Sequence, residues 1–349
     1  MNEDPPAIAA GLTELDDVTG VWAVADRRLA AGDAAFVADL GIAVWRRHGQ
    51  DTPPPWQYRS VFDRTLRLLS LNPGTLDQAL RLIRVTAARR QTRYAASLLA
   101  SAHSAGTLLP AVDAHGSEEL RACVRQELIL RGAEVWYPGH HPLAWLPPAL
   151  TPLEGRPGLP HYTLTGGSRD LANLAVAPAR KRGTAKPARE TTTEAEAAAI
   201  STAVANWAES SNGRVEARTF ALDDGLDGLP ATLAALGLAS YRKPKSNPGP
   251  CTATQAWQQL FLAASGGGAY NGGDYGAYGR LFAWQSVAAL IGAPPDAPAA
   301  DVEALAHAAA WHSFAGASKW FDRVAWDLGL AVVSPDRRRL AVLAATDTD

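Results

Sequence analysis

Residues 266–292 read GGGAYNGGDYGAYGRLFAWQSVAALIG, a glycine-rich, tyrosine-bearing loop that runs straight into an apolar helix. The helix follows from Leu281, Trp284, Ala288 and Ile291 falling on one face, and GAPPDAP stops it. Just upstream, Thr252 and Gln255 form a capping-box pattern, and Ala253, Trp257, Leu260, Phe261 and Ala264 line one face of a second helix. Two apolar helices joined by a glycine-rich hinge therefore form the expected centre of the C-terminal half.

Working outward, Thr193 and Glu196 cap an expected helix from Thr193 to Ser210, and RVEARTFAL reads as a strand. A short helix is expected from Leu229 to Leu238, and another follows a cap at Asp301 through Val302, Leu305 and Ala309. Phe321, Val324, Ala325 and Leu328 mark a further helix ended by Gly329. The tryptophans at 207, 257, 284, 311, 320 and 326 fall mostly on these helices. LAVV, the turn SPDRR and LAVLAAT read as a terminal β-hairpin.

The first third reads as helices throughout. Thr13, with Asp16 three residues on, caps a helix carrying Leu15, Val18, Trp22, Ala25 and Leu29. Asp33 caps the next, with Phe36, Val37, Leu40 and Val44 on its face and Arg46 and Arg47 in its last turn. Further helices carry Phe62, Leu66 and Leu69; Leu76, Ala79, Leu80, Ile83 and Ala87; Leu98, Leu99 and Ala102; and, after Ser117, Leu120, Val124 and Leu128. Short turns between them imply antiparallel hairpins, either a helical-repeat-like stack or a plain bundle. Residues 135–160 carry too many prolines for a helix or a central strand. They read as an extended, ordered crossing whose Trp136, Tyr137 and Trp145 need burial, while 178–190 reads as a solvated basic loop. The expected divisions are 1–134, 135–190 and 191–349, and the expected fold class is mainly α (α+β) with a small antiparallel β component.

A formal net charge of -2 gives no global attraction to nucleic acid or to an anionic membrane. Arg180, Lys181, Arg182, Lys186 and Arg189 form a local basic segment without interleaved aromatics, so nucleic-acid binding there is a secondary alternative. Two cysteines, Cys123 and Cys251, exclude a disulfide framework and suggest reduced thiols in a cytoplasmic protein. No signal layout and no membrane-length apolar run is present, so no membrane association is expected.

Chemistry-bearing patterns are sparse. Gly273, Gly276 and Gly279 match neither GxxxxGK[ST] nor GxGxxG. His140 and His141 are adjacent and point apart on an extended chain, and His307 and His312 lie on different helix faces, so no metal site is expected. Asp223, Asp224 and Asp227 lack the downstream glutamate of a calcium loop and read as a solvated turn. Cys251 precedes a helix, a position that can lower a thiol pKa, without a nearby histidine in sequence. Asp347 is a minor candidate, carried towards the core by its strand.

TATQAWQQLF, residues 266–294 and WFDRVAWDLGLAVVSPDRRRLAVLAATDTD together resemble a family of uncharacterised proteins from high-GC bacteria, a domain of unknown function. The resemblance is strongest over residues 250–349. It implies a recurrent structural unit and brings no activity, cofactor or catalytic residue with it. The leading functional expectation is a protein–protein interaction or regulatory protein, such as a toxin-neutralising or conflict-system component, with no cofactor and another protein as partner. The alternative is an enzyme or small-ligand binder using residues 266–280. The candidate contact residues in either case are Gly273, Asp274, Tyr275, Tyr278, Arg280 and Trp284.

Overall fold

The computed structural model describes residues 3–86, 88–137, 139–168, 183–223, 225, 226, 228–322 and 326–348. Ala87, Arg180, Lys181, Arg182, Asp224, Asp227, Val324 and Ala325, named above, lie outside these residues. The fold is mainly helical, with antiparallel sheets. The chain divides into two compact units, Met1–His141 with Pro160–Ser168, and Pro142–Leu159 with Arg169–Asp349.

The first unit contains α1 (Pro5–Gly11), α2 (Thr19–Ala30), α3 (Ala34–His48), α4 (Trp56–Ser70), α5 (Leu76–Thr86), α6 (Arg89–Ala102), α7 (Ala105–His115) and α8 (Glu118–Leu130). From α2 onward each helix packs against the next and against the next but one. A helical-repeat stack and a plain antiparallel bundle both give this neighbour pattern. Asp33 caps α3 by accepting from the Phe36 N–H, and Ser117 caps α8 by accepting from that of Leu120, as their positions imply.

One helix of this unit starts later than expected, and another lies where the sequence marks none. Thr13 lies in a single 3-10 turn, and the helix carrying Trp22 begins at Thr19, whose N–H donates to Asp17. The helix α7 carries Pro110 in its interior, and its apolar residues define no strong stripe, so tertiary packing rather than pattern holds it. A short hairpin of β1 (His161–Thr163) and β2 (Gly166–Ser168) completes the unit, with the Tyr162 hydroxyl donating to Ser97 Oγ at 2.9 Å.

The second unit is built on a six-stranded antiparallel sheet. In chain order its elements are β3 (Ala188–Glu190), α9 (Glu194–Ser201), α10 (Ala205–Ser210), β4 (Arg214–Leu222), α11 (Leu229–Ala235), β5 (Gly249–Cys251), α12 (Ala253–Gly266), α13 (Tyr275–Ile291), α14 (Ala299–Ala308), β6 (Ala310–Ser313), β7 (Trp326–Val333) and β8 (Arg339–Asp347). The strand order is β3-β4-β8-β7-β6-β5. Strand β8 is central, pairing with β4 from Arg214↔Thr346 to Ala221↔Arg339 and with β7 from Trp326↔Asp347 to Val333↔Leu340. On one face Phe220, Leu233, Tyr241, Phe314, Leu340 and Val342 form a core. The other face carries Leu328, Leu330, Val332 and Leu343, and it is there that α9, α12 and α13 meet the sheet.

Burial on both faces explains the misread strand. Residues 326–333 are apolar at nearly every position, which destroys the alternation that marks a half-exposed strand. The expected helix over 321–329 is therefore corrected: Leu328 and Gly329 lie in β7, and Trp311 and Trp326 lie in strands. The helix expected from Thr193 to Ser210 is broken by a 3-10 turn at Thr202–Val204. Residues 188–190 are a paired edge strand rather than loop. Trp136, expected to be buried, is 73% exposed. No helix among the described residues is long and apolar enough to cross a membrane.

Candidate functional site

The helices α12 and α13 pack directly on each other, joined by the glycine-rich loop. Thr252 and Gln255 form the complete capping box at the start of α12. Asn271 ties the loop, its Oδ1 accepting from the N–H groups of Gly268 and Gly273 and its Nδ2 donating to the Asn206 carbonyl. Gly273 has φ +62, and a Cβ there would stand 2.5 Å from the Gly267 nitrogen, so the loop closes only with glycine. Asp274, Tyr275 and Tyr278 are half-buried, and Tyr275 holds a left-handed φ of +61 at the start of α13. The ring of Tyr278 packs on that of Phe282, 5.7 Å between centroids.

The other two candidate residues belong to the interior. Arg280 and Glu154 are both fully buried. Arg280 Nε and Nη2 donate to the two Glu154 carboxylate oxygens at 2.6 and 2.8 Å. Its Nη1 and Nη2 also reach the carbonyls of Pro147 and Ala149 at 3.0 Å. Trp284 Nε1 and the Thr151 N–H donate to the same carboxylate at 2.9 and 3.0 Å. A paired charge saturated in this way tolerates loss from water. Its effect is to fasten the proline-rich segment 142–159 onto α13. Arg280 and Trp284 therefore act within the fold and present no surface to a ligand or partner.

A cleft of about 790 Å³ opens instead along the C-terminal half of α13. Six alanines, Ala195, Ala199, Ala288, Ala289, Ala293 and Ala297, leave room where larger side chains would close it. Trp145 forms part of its wall, fixed by donating from Nε1 to the Ala297 carbonyl at 3.2 Å and by an edge contact on Trp284. Its polar groups are Glu196, Thr202, Gln285 and Arg339. Arg339 Nη1 and Nη2 donate to the carbonyls of Leu290 and Ala289 at 2.5 and 3.0 Å, satisfying the end of α13. Gly292, left-handed at φ +73, ends that helix beside the guanidinium. Glu196 stands 3.9 Å from Arg339, while its Oε2 accepts from the Thr193 N–H and hydroxyl.

A second cavity of about 430 Å³ is lined by Leu226, Leu229, His312, Val333, Ser334 and Arg337, among others. Burial holds His312 below its ordinary pKa, and its Nδ1 is buried without a hydrogen-bond partner. Cys251 lies in β5 just before α12, yet burial pushes its thiol up to about 11, the opposite of helix-terminus activation. Among the described residues no group of three or more His, Cys, Asp or Glu side chains could hold a metal ion.

The profile of the family of unknown function DUF6183 matches residues 19–349, nearly the whole chain. The chain belongs to this family. No curated protein and no solved structure matches it. The match to DUF6183 runs through both units, so the helical stack and the sheet unit are both family features. The sequence alone did not single out Glu154, Trp145, Glu196 or Arg339 as site residues. Glu196 was visible only as a helix cap, and the other three are joined to α13 by contacts remote in sequence.

Proposed function

We propose that this DUF6183 protein works by binding, and that its second unit receives a mainly apolar organic ligand in the cleft along α13. The observation carrying the proposal is the cleft itself. Its volume of about 790 Å³ falls within the span of roughly 300–1,000 Å³ common for small-molecule sites. Alanines and an aromatic wall surround a few polar groups, the composition such sites share. Native mass spectrometry of protein purified from its own host tests it. A retained small molecule is expected, and Ala199→Trp, which fills an exposed wall of the cleft, should abolish retention. Retention undiminished in that variant would place the ligand elsewhere.

A regulatory contact with another protein is the second reading, with toxin neutralisation or a conflict system as its finer form. Its support is the glycine-rich loop, where Tyr270 is 63% exposed and Tyr275 holds a left-handed backbone. Large exposed aromatics are common binding anchors, and strained backbone collects at functional sites. Tyr270→Ala should then release a co-purifying protein that Ala199→Trp retains.

A further inference from the structure

We propose that the ligand of this cleft carries an oxygen-acceptor head, a carboxylate foremost, that docks on the Arg339 guanidinium. The proposal rests on the cleft being a ligand site. Arg339 spends two N–H groups on the carbonyls of Leu290 and Ala289. Its remaining N–H groups have no protein acceptor within hydrogen-bond distance among the described residues. Glu196 Oε1 stands 3.9 Å from Arg339 Nη2, a charge neighbour too far off for a hydrogen bond.

The guanidinium is therefore fixed in place, lines an apolar space and is only part-compensated. Its acidity agrees: burial lowers the Arg339 pKa from its ordinary value, with Glu196 acting the other way. A planar carboxylate or carbonyl oxygen suits the free edge of a guanidinium. The fixed geometry means that little side-chain entropy is lost on docking. Gln285, exposed on the cleft wall, adds an amide to its few polar groups. The alanine floor and Trp145 then take the apolar body.

The rival head is an amine read by Glu196. The two possibilities differ in how far the reading group is buried: the Arg339 side chain is 25% exposed and that of Glu196 42%, so the guanidinium is the more desolvated partner. Desolvated groups gain more from a new partner than wet ones do.

The test uses the intact protein and three probes with one body: phenylbutyrate, phenylbutyramide and phenylbutylamine, titrated by calorimetry. Wild type, Ala199→Trp and Glu196→Gln are compared; glutamine at 196 can keep the helix cap. The carboxylate and the amide are expected to bind at least about tenfold tighter than the amine. Glu196→Gln should tighten the carboxylate by about threefold, by removing a nearby like charge, and leave the amide unchanged. Ala199→Trp should abolish all binding. Equal binding of the three, or tightest binding of the amine, with loss in Ala199→Trp, keeps the cleft and overturns the head-group assignment. Binding of none, or binding indifferent to Ala199→Trp, overturns the cleft site and the head group with it.

Discussion

Asp347, the last residue of β8, accepts a hydrogen bond of 2.7 Å from the backbone N–H of Ala269 in the glycine-rich loop. The carboxylate is fully buried, and it ties the central strand to a loop 78 residues earlier in the chain. The contact is close because residue 268 has no side chain: a Cβ on Gly268 would stand 2.0 Å from Asp347 Oδ2.

Gly268→Ala should therefore destabilise the second unit by about 1–3 kcal/mol, the usual cost of overpacking a filled site. Gly106→Ala, in α7 with nothing within 4 Å of the new methyl group, serves as the control and should be neutral or slightly stabilising. Urea unfolding of both variants checks this, with equal losses counting against the packing argument.

The buried pair of Arg280 and Glu154 predicts an asymmetric response. Glu154→Ala strands a buried guanidinium and leaves the Trp284 and Thr151 donors without their acceptor, so about 3–5 kcal/mol should be lost. Arg280→Met together with Glu154→Met removes both charges and should recover a large part of that loss. A double variant no more stable than the single one would show that the hydrogen bonds to carbonyls, and not the lone charge, dominate.

Acid should weaken the fold through its buried histidines. Burial holds His103 and His312 below their ordinary value, and His103 Nε2 lies 3.0 Å from the Ser70 carbonyl. A histidine with a depressed folded pKa contributes stability that is full above the unfolded value of about 6.5 and is lost as pH falls below it. Asp63, raised by burial, acts in the opposite sense at lower pH. The unfolding midpoint should thus drop between about pH 7.5 and 5.5, and His103→Gln with His312→Asn should flatten the curve. An unchanged slope in that double variant would assign the acid sensitivity to other groups.

Both thiols should be sluggish. With Cys251 pushed up to about 11 and Cys123 raised well above its ordinary value, little thiolate exists at neutral pH. Alkylation by iodoacetamide at pH 7.5 should run roughly a hundredfold slower in the folded protein than in urea, following thiolate fraction. Fast modification of Cys251 alone would point to local opening of β5.

The sequence disclosed what neighbouring residues settle among themselves. The caps at Asp33, Ser117, Thr193 and Thr252, the helices α12 and α13, the strand β4 and the core of the β7–β8 hairpin all follow from periodicity and local hydrogen-bonding chemistry. What stayed hidden depends on distant partners. The short strands β5 and β6 exist because they pair with each other and β6 with β7. Arg280 looked like an exposed cation until Glu154, 126 residues earlier, took it. The cleft is a consequence of absent side-chain volume, which no motif announces.

The passage of the chain between the two units carries a last consequence. Residues 142–159 belong to the second unit, the chain then returns to the first for Pro160–Ser168, and it leaves again at residue 169. Neither unit is a continuous piece of polypeptide. A gene fragment ending at residue 141 would encode the helices without the hairpin that meets Ser97, and one starting at residue 169 would leave Arg280 without Glu154. Recombination at a single breakpoint cannot separate these units intact, so they are constrained to be inherited together.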